Sequence, residues 1–187
     1  MDDGKRKIPL STEGHKDREE WLGTLMNQYG EGLTKLAYHY VKDWGRAEDV
    51  VQDVFVSCYD HYDDFRGESS VKTWVYRITI NQCKDVLKSS VFRKTLFGKF
   101  DFIANRETDH TPELFLVQKE TEKQLARHIL SLTVKYREVI LLFYYEEFSI
   151  YGISELLSIK PNTVKTRLDR ARQKLRRLME EDGYHGR

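Results

Sequence analysis

The sequence predicts an all-α protein made of two small helical domains joined by a flexible linker. Apolar residues recur every three or four positions through most of the 187-residue chain, which is the spacing of one helix face. Only three prolines interrupt this pattern, and the alternating runs typical of strands are few. The helical periodicity fails over residues 91–112, so we expect this segment to separate the two domains.

The composition is that of a protein with a real core and a highly charged surface. Hydrophobic residues make up 40% of the chain and charged residues 33%. No apolar run approaches the roughly 18 residues needed to cross a bilayer, and the N-terminus leads into no apolar signal segment. Cys58 and Cys83 lack the paired spacing of a zinc site or a disulfide framework, so we expect each to be a buried small hydrophobe. These features predict a soluble cytoplasmic protein.

The first domain is expected at residues 18–90, after a polar N-terminal tail at residues 1–17 that we expect to be mobile. Apolar residues repeat at helical spacing in four blocks, with a break near Asp43 and a loop at residues 65–70. Ser70 stands where an N-cap of the fourth helix belongs. The predicted helices span residues 19–29, 33–41, 46–62 and 71–87.

The second domain is expected at residues 113–182, where helical spacing returns and ends in a helix-turn-helix. A short helix follows Ser149, its predicted N-cap, and turns Ile153 and Leu156 inward. Pro161 suits the first turn of a new helix and disfavours helix at the residue before it. Two helices across a tight turn, the second beginning with polar side chains, define the motif. With the two helices before it, this motif predicts a four-helix domain.

The second helix of the motif, residues 161–178, concentrates the positive charge of the chain. Its apolar residues form one stripe, and its other faces carry seven basic residues and the single acid Asp169. The segment has a net charge of +6, so the rest of this chain of total charge +1 carries −5. Such a surface suits the phosphate backbone of DNA, and the N-terminal residues of the helix would reach base edges. A solvated cationic helix, or one that binds an acidic protein, is the alternative.

Two surfaces of the first domain have both a structural and a functional interpretation. The third predicted helix is acidic, and its acidic face is either a solvated surface or a docking surface for a basic partner helix. The fourth helix interleaves bases with aromatic rings and an amide, a combination that can hold single-stranded DNA. Trp74 is expected in the core, whereas Tyr76 and Asn81 are expected to be exposed.

Four motifs, in this order, resemble those of the extracytoplasmic-function (ECF) sigma factors, a group of the sigma-70 family of bacterial RNA polymerase. They lie at residues 47–55 (AEDVVQDVF), 72–78 (KTWVYRI, with Asn81 beyond it), 136–140 (YREVI) and 163–172 (TVKTRLDRAR). The match extends over most of residues 20–180. The resemblance implies an alternative sigma factor, which is not an enzyme and needs no cofactor or metal, and which directs core polymerase to promoters.

The resemblance also implies a division of labour. The acidic helix would bind the clamp helices of the β′ subunit, while the loop at 65–70 and the following helix would help to melt the −10 element and capture a base. The second domain would sit on the β flap and read the −35 element, and an anti-sigma factor is a further implied partner. The residues so assigned are Glu48, Asp49, Gln52 and Asp53 for core polymerase; Arg66, Ser69, Lys72, Tyr76, Arg77, Asn81 and Lys84 for the −10 element; and Asn162, Thr163, Lys165, Thr166, Arg167, Asp169, Arg170, Arg172 and Lys174 for the −35 element.

A stand-alone helix-turn-helix regulator with a helical sensing domain is the alternative function. It accounts for the C-terminal half of the sequence but not for the acidic helix, the Trp74 region or the linker. A hydrolase or transferase has no supporting residues, because the six histidines are scattered and neither a nucleotide-binding glycine loop nor a metal-ligand constellation is visible.

Overall fold

The structure of the chain, a computed structural model, describes residues 16–65, 69–89 and 120–183, and these ranges contain helices and turns but no strand. The predicted all-α fold is therefore confirmed. The predicted linker, most of the predicted N-terminal tail and Arg66 lie outside the described residues. The elements are α1 (Lys16–Val41), α2 (Trp44–Asp60), a 3₁₀ helix (Tyr62–Asp64), α3 (Val71–Lys88), α4 (Glu120–Ser131), α5 (Val134–Ile140), a π-helical segment (Leu141–Tyr145), α6 (Ile150–Leu157) and α7 (Pro161–Glu181).

The chain divides into two compact units, Met1–Lys84 and Asp85–Arg187, and the division falls within the last turn of α3. The sequence places the end of the first domain a few residues later, at residue 90, and the domain limits stay a prediction. Among the described helices, none combines the length and the apolar character that a membrane span requires.

In the first unit, α1 is one helix where the sequence predicts two. The predicted break between residues 29 and 33 is wrong, because α1 continues through Gly30 and Gly32. A glycine inside a helix costs about 1 kcal/mol relative to alanine. This cost is offset here because Leu33 and Leu36, which follow the glycines, are buried, and Gly30 lies against the ring of Phe55 on α2.

Local capping chemistry sets the beginnings of α2 and α3. The Asp43 side chain accepts a hydrogen bond from the Arg46 amide over 3.1 Å and so caps α2. Ser70 Oγ accepts one from the Thr73 amide, also over 3.1 Å, which confirms Ser70 as the predicted cap of α3. The sequence predicts the start of α2 two residues late, because it does not show that Trp44 stacks on Tyr38 with the ring centroids 4.6 Å apart.

The second unit ends in the predicted helix-turn-helix. Ser149 Oγ accepts a hydrogen bond from the Gly152 amide over 3.1 Å, which confirms it as the N-cap of α6. Ser158 ends α6 in the left-handed conformation, with φ of 54°, and Pro161 is the first residue of α7. The start of each helix and the turn between them therefore lie where the sequence predicts, while α7 continues to Glu181, three residues beyond its predicted end.

The helix before this motif changes type midway, which the sequence does not predict. After α5 the chain widens into the π-helical segment, where the Glu146 amide donates to the Leu141 carbonyl over 3.0 Å. Such segments interrupt helices frequently at functional sites. Here the segment leaves Tyr144 and Tyr145 exposed while Leu141 and Leu142 stay buried.

Both cysteines are buried in the first helices, as the sequence predicts. Cys58 lies on α2 and Cys83 on α3, and each thiol is free and 0% exposed. Burial disfavours the charged thiolate, so it raises the pKa of each thiol from 9.0 to about 12. The two thiols are consequently protonated and unreactive at neutral pH.

Candidate nucleic-acid interface

α7 docks on the second unit by an apolar stripe and turns its polar side chains outward. Val164, Leu168 and Ala171 are buried against the rest of the unit. The side chains predicted to read bases therefore share one surface of the first three turns, because they are spaced three or four positions apart. The exposed members of this set are Asn162, Lys165, Thr166, Asp169 and Arg170, and Thr163 is half-buried.

Arg167 does not belong to this exposed surface. Its Nη1 atom donates to Oε1 of Glu138 over 2.9 Å, and its side chain is 24% exposed. Glu138 is buried on α5, so this ion pair joins α7 to the core of the unit. The guanidinium thus pairs with a buried carboxylate instead of projecting freely into solvent, and the assignment of Arg167 to the −35 element stays a prediction.

Arg172 is also engaged within the unit. Its Nε atom donates to the Tyr144 hydroxyl over 2.8 Å, and its Nη1 atom donates to Oδ1 of Asp169 over 3.0 Å. The guanidinium carbon lies 5.7 Å and 5.6 Å from the ring centroids of Phe143 and Tyr144, within the range of a cation–π contact. Arg172 thus joins α7 to the π-helical segment, although its side chain is 44% exposed.

The remaining charges divide α7 into two halves. In the C-terminal half, Arg176 and Arg177 pair with Glu180 and Glu181 over 2.8 and 3.6 Å. The amine of Lys174 lies 5.9 Å from the Tyr136 ring. In the N-terminal half, Lys165 and Arg170 make no ion pair with any residue that the structure describes. Two exposed cations, Lys165 and Arg170, therefore lie next to the side chains that would read bases, where they can meet phosphate.

The second candidate surface lies on α3, and it requires a correction. Tyr76 is only 2% exposed and packs edge-on against Tyr29, with the centroids 6.4 Å apart. The predicted exposure of Tyr76 is wrong, because the buried stripe of α3 runs through Val75, Tyr76, Thr79, Ile80 and Cys83. In this arrangement Tyr76 cannot stack on an extruded base, and it leaves the candidate interface.

The other −10 residues are distributed unevenly around α3. Asn81 is exposed, as the sequence predicts. Trp74 is half-buried rather than fully in the core, at 6.1 Å from Trp21 and 5.3 Å from Phe65 between ring centroids. The half-buried members of the predicted set are Ser69, Lys72, Arg77 and Lys84.

The acidic face of α2 borders an apolar groove that the sequence does not reveal. Glu48, Asp49, Gln52 and Asp53 are all exposed, as predicted for a docking surface. Two of them, Glu48 and Gln52, also line a shallow groove of about 550 Å³ between α1 and α2, whose other walls are mostly apolar. Its exposed apolar members are Met26 on α1, at 47%, and Val56 on α2, at 55%. In the sequence, the one indication of this groove is that Val56 lies outside the apolar stripe of its helix.

The described part of the chain contains no cluster of three or more histidine, cysteine, aspartate or glutamate side chains that could hold a metal ion.

Comparison with known protein families identifies both units. The sigma-70 region 2 family matches residues 25–92, which include the acidic α2 and all of α3. The sigma-70 region 4 family matches residues 122–175, which include the helix-turn-helix.

Relatives with this organisation match over nearly their full length. The ECF RNA polymerase sigma factor SigW of Bacillus subtilis is 29% identical over 95% of this chain and 97% of its own. The ECF RNA polymerase sigma factor SigX of the same organism is 29% identical over 87% and 85%. The ECF RNA polymerase sigma-E factor of Escherichia coli K12 is 28% identical over 84% and 86%.

Two solved structures have a similar fold. CnrH, solved in complex with the cytosolic domain of CnrY, has a TM-score of 0.63 and 24% identity, over 88% of this chain and 90% of its own. The sigma factor RpoE from Bartonella quintana, solved with the anti-sigma factor NepR, has a TM-score of 0.63 and 21% identity, over 89% and 98%.

Proposed function

The chain belongs to the extracytoplasmic-function group of the sigma-70 family, and we propose that its two units read two separate elements of a promoter while core RNA polymerase fixes their spacing. It is an alternative sigma factor, a DNA-binding regulatory subunit that directs polymerase to promoters. The observation that carries the proposal is the distribution of charge on α7. Among the described residues of this helix, Lys165 and Arg170 are exposed without an ion pair, next to the exposed polar side chains of the first turns.

For the −35 element, we propose major-groove reading by the first three turns of α7. In a helix-turn-helix the N-terminal residues of the second helix reach base edges, while side chains around them contact phosphate. Asn162, Lys165, Thr166 and Asp169 are exposed in the first role, and Arg170 in the second. Arg167 and Arg172 serve instead to fix the helix on its unit.

For the −10 element, we propose that α3 holds the melted strand. Exposed Asn81 can hydrogen-bond an unstacked base, and the half-buried Lys72, Arg77 and Lys84 can neutralise phosphates around it. Trp74 and Phe65 form part of an aromatic cluster at the start of the helix.

For core polymerase, we propose that the acidic face of α2 and the groove beside it bind the clamp helices of β′, and that the second unit contacts the β flap. Exposed carboxylates such as Asp53 favour association with a basic helix and set its orientation. The exposed Val56 and Met26 add apolar area, which contributes more affinity than rim charge does.

This function is non-enzymatic and would be exercised in the cytoplasm, where promoter DNA and polymerase meet. We further propose an anti-sigma factor as a regulatory partner. Support comes from the fold relative of Bartonella quintana, which was solved bound to such a protein. A stand-alone helix-turn-helix regulator is a weaker explanation, since it does not account for the region 2 match over residues 25–92.

Reconstitution of transcription tests the proposal. Core polymerase is combined with the full-length chain, and transcripts are mapped on genomic DNA fragments of the source organism. We expect defined start sites that depend on the chain, and weak duplex binding by the chain alone. Tight sequence-specific duplex binding without polymerase, together with no defined transcript in its presence, would overturn the proposed function in favour of the stand-alone regulator.

A further inference from the structure

α7 carries one acid on the face that would enter the major groove. Asp169 is the only acidic residue among residues 161–179. Its side chain is 64% exposed and lies four positions after Lys165, on the same face of the helix. A carboxylate on this face opposes DNA binding through repulsion by phosphates unless it gains a donor from the bases.

The position of this carboxylate is set from another element. Arg172 donates to Oδ1 of Asp169 over 3.0 Å, and the same guanidinium donates to the Tyr144 hydroxyl over 2.8 Å. The guanidinium is also in contact with the faces of the Phe143 and Tyr144 rings. Because Phe143 and Tyr144 both contact Arg172, its guanidinium favours one orientation of Asp169 and reduces the repulsion between this carboxylate and phosphate.

Asp169 keeps hydrogen-bonding capacity after it binds Arg172. An ionised carboxylate is an acceptor with about four lone-pair sites and has no donor. In the major groove the available donors are the exocyclic amines, N4 of cytosine and N6 of adenine. Guanine and thymine present acceptors or a methyl group at the corresponding edges and would be rejected by a fixed carboxylate.

We propose that Asp169 is a specificity-determining residue that accepts a hydrogen bond from the exocyclic amine of one cytosine or adenine in the −35 element, and that Arg172 and Tyr144 are positioning residues for it. This inference rests on the proposed function, because it specifies which chemistry the recognition helix selects. It assigns the aromatic π-helical segment, which lies outside the helix-turn-helix, to promoter choice.

The test deletes the amine from the DNA and the carboxylate from the protein. A promoter is first selected by wild-type holoenzyme from a library with a randomised −35 element. Each cytosine in the element is then replaced by 2-pyrimidinone, and each adenine by purine, both of which lack only the exocyclic amine. We expect one such deletion to lower transcription by wild-type holoenzyme about five- to tenfold, a loss typical of one specific base contact. Asp169→Ala holoenzyme should be insensitive to that same deletion.

Two further variants separate positioning from folding. Tyr144→Phe removes only the hydroxyl that accepts from Arg172, so it should keep the start site and lower the amine dependence about two- to threefold. Glu180→Ala is the matched control, since Glu180 is also an exposed acid paired with an arginine of α7, Arg176, but lies near the far end of the helix. It should leave the amine dependence unchanged. Equal thermal unfolding of all three variants excludes a difference in folding.

The outcomes are distinct. If wild-type holoenzyme produces no promoter-specific transcript, the sigma-factor function and this inference fail together. If wild-type transcription is promoter-specific but Asp169→Ala responds to every amine deletion as wild type does, the inference alone is overturned. Unchanged amine dependence in Tyr144→Phe would remove the positioning role of Tyr144.

Discussion

Arg167 on α7 donates a hydrogen bond to Glu138 on α5 over 2.9 Å, in a pair whose carboxylate side chain is 5% exposed and whose guanidinium side chain is 24% exposed. The two residues are 29 positions apart in the chain. Together with the buried stripe of Val164, Leu168 and Ala171, the pair attaches α7 to its unit with the other side chains facing outward. A basic residue in a DNA-binding helix serves here to place its neighbours.

The burial of this pair predicts an asymmetry between its two members. Arg167→Met should destabilise the second unit by about 2 kcal/mol, because it removes a charged donor from a buried carboxylate. Glu138→Gln should cost about 1 kcal/mol, because Arg167 can still reach solvent. Urea unfolding followed by far-ultraviolet circular dichroism measures both losses. A larger loss in Glu138→Gln would contradict the assigned burial.

The tryptophans supply an internal control for that experiment. All three lie in the first unit, as Trp21, Trp44 and Trp74. We expect tryptophan fluorescence to report the first unit only, so its transition should be the same in wild type and Arg167→Met. A shift of the fluorescence transition would show that the substitution acts beyond the second unit.

On α3, a substitution at buried Tyr76 should affect stability, whereas one at exposed Asn81 should affect DNA binding alone. Tyr76→Ala empties a fully buried site and should destabilise the first unit by about 3–4 kcal/mol. Asn81→Ala alters an exposed side chain, so its unfolding should match wild type within about 0.5 kcal/mol. Tryptophan fluorescence during urea unfolding measures both.

The same Asn81 variant should weaken promoter opening. We expect Asn81→Ala holoenzyme to bind a template with a single-stranded −10 element about fivefold more weakly than wild type, in line with the loss of one base contact. Its binding to a duplex that carries only the −35 element should be unchanged. An equal loss on both templates would indicate that Asn81 acts through something other than the melted strand.

The groove beside α2 predicts a core-binding defect without a promoter defect. Asp53→Ala combined with Val56→Ser should weaken binding to core polymerase about tenfold, because it removes both a steering charge and exposed apolar area. Promoter preference at saturating concentrations should be that of wild type. Glu20→Ala, which changes an exposed acid on α1, is the control and should bind core polymerase normally. A change in start-site choice by the double variant would contradict the division of labour.

We expect the two thiols to be unreactive in the folded protein. Cys58 and Cys83 should react with a thiol reagent at pH 8 only after urea is added, because burial raises the pKa of each to about 12. The pKa is higher in the folded state, so the thiols' contribution to stability is complete below pH 9 and declines as the pH rises above it. Rapid labelling of native protein would show that one cysteine is accessible.

The sequence predicts those parts of the fold that depend on local chemistry. Ser149 and Pro161 mark the helix-turn-helix correctly, because caps and proline act within one turn of their own position. Trp74 and Tyr76 are harder to distinguish from the sequence, since Tyr76 belongs to the buried stripe of α3 and packs against Tyr29, while Trp74 lies at the edge of that stripe. Composition alone gives no indication of this partner.

The contacts that the arginines of α7 make with earlier parts of the chain also cannot be predicted from the sequence. The partners of Arg167 and Arg172 on the preceding helical region lie 29 and 28 positions earlier, and the second contact depends on the π-helical segment. The sequence therefore shows that these two arginines are basic residues of a cationic helix but not that each has a partner within its own unit.

The π-helical segment, Leu141–Tyr145, also affects how promoter choice can change among related chains. One residue corresponds to about 100° of helical rotation. A chain that has lost a single residue from this segment would present a different side chain to Arg172, although every residue of α7 stayed the same. Such a deletion, more than 20 residues before Asp169, would then change the base that Asp169 selects. A comparison of the recognition helices alone would not reveal this change.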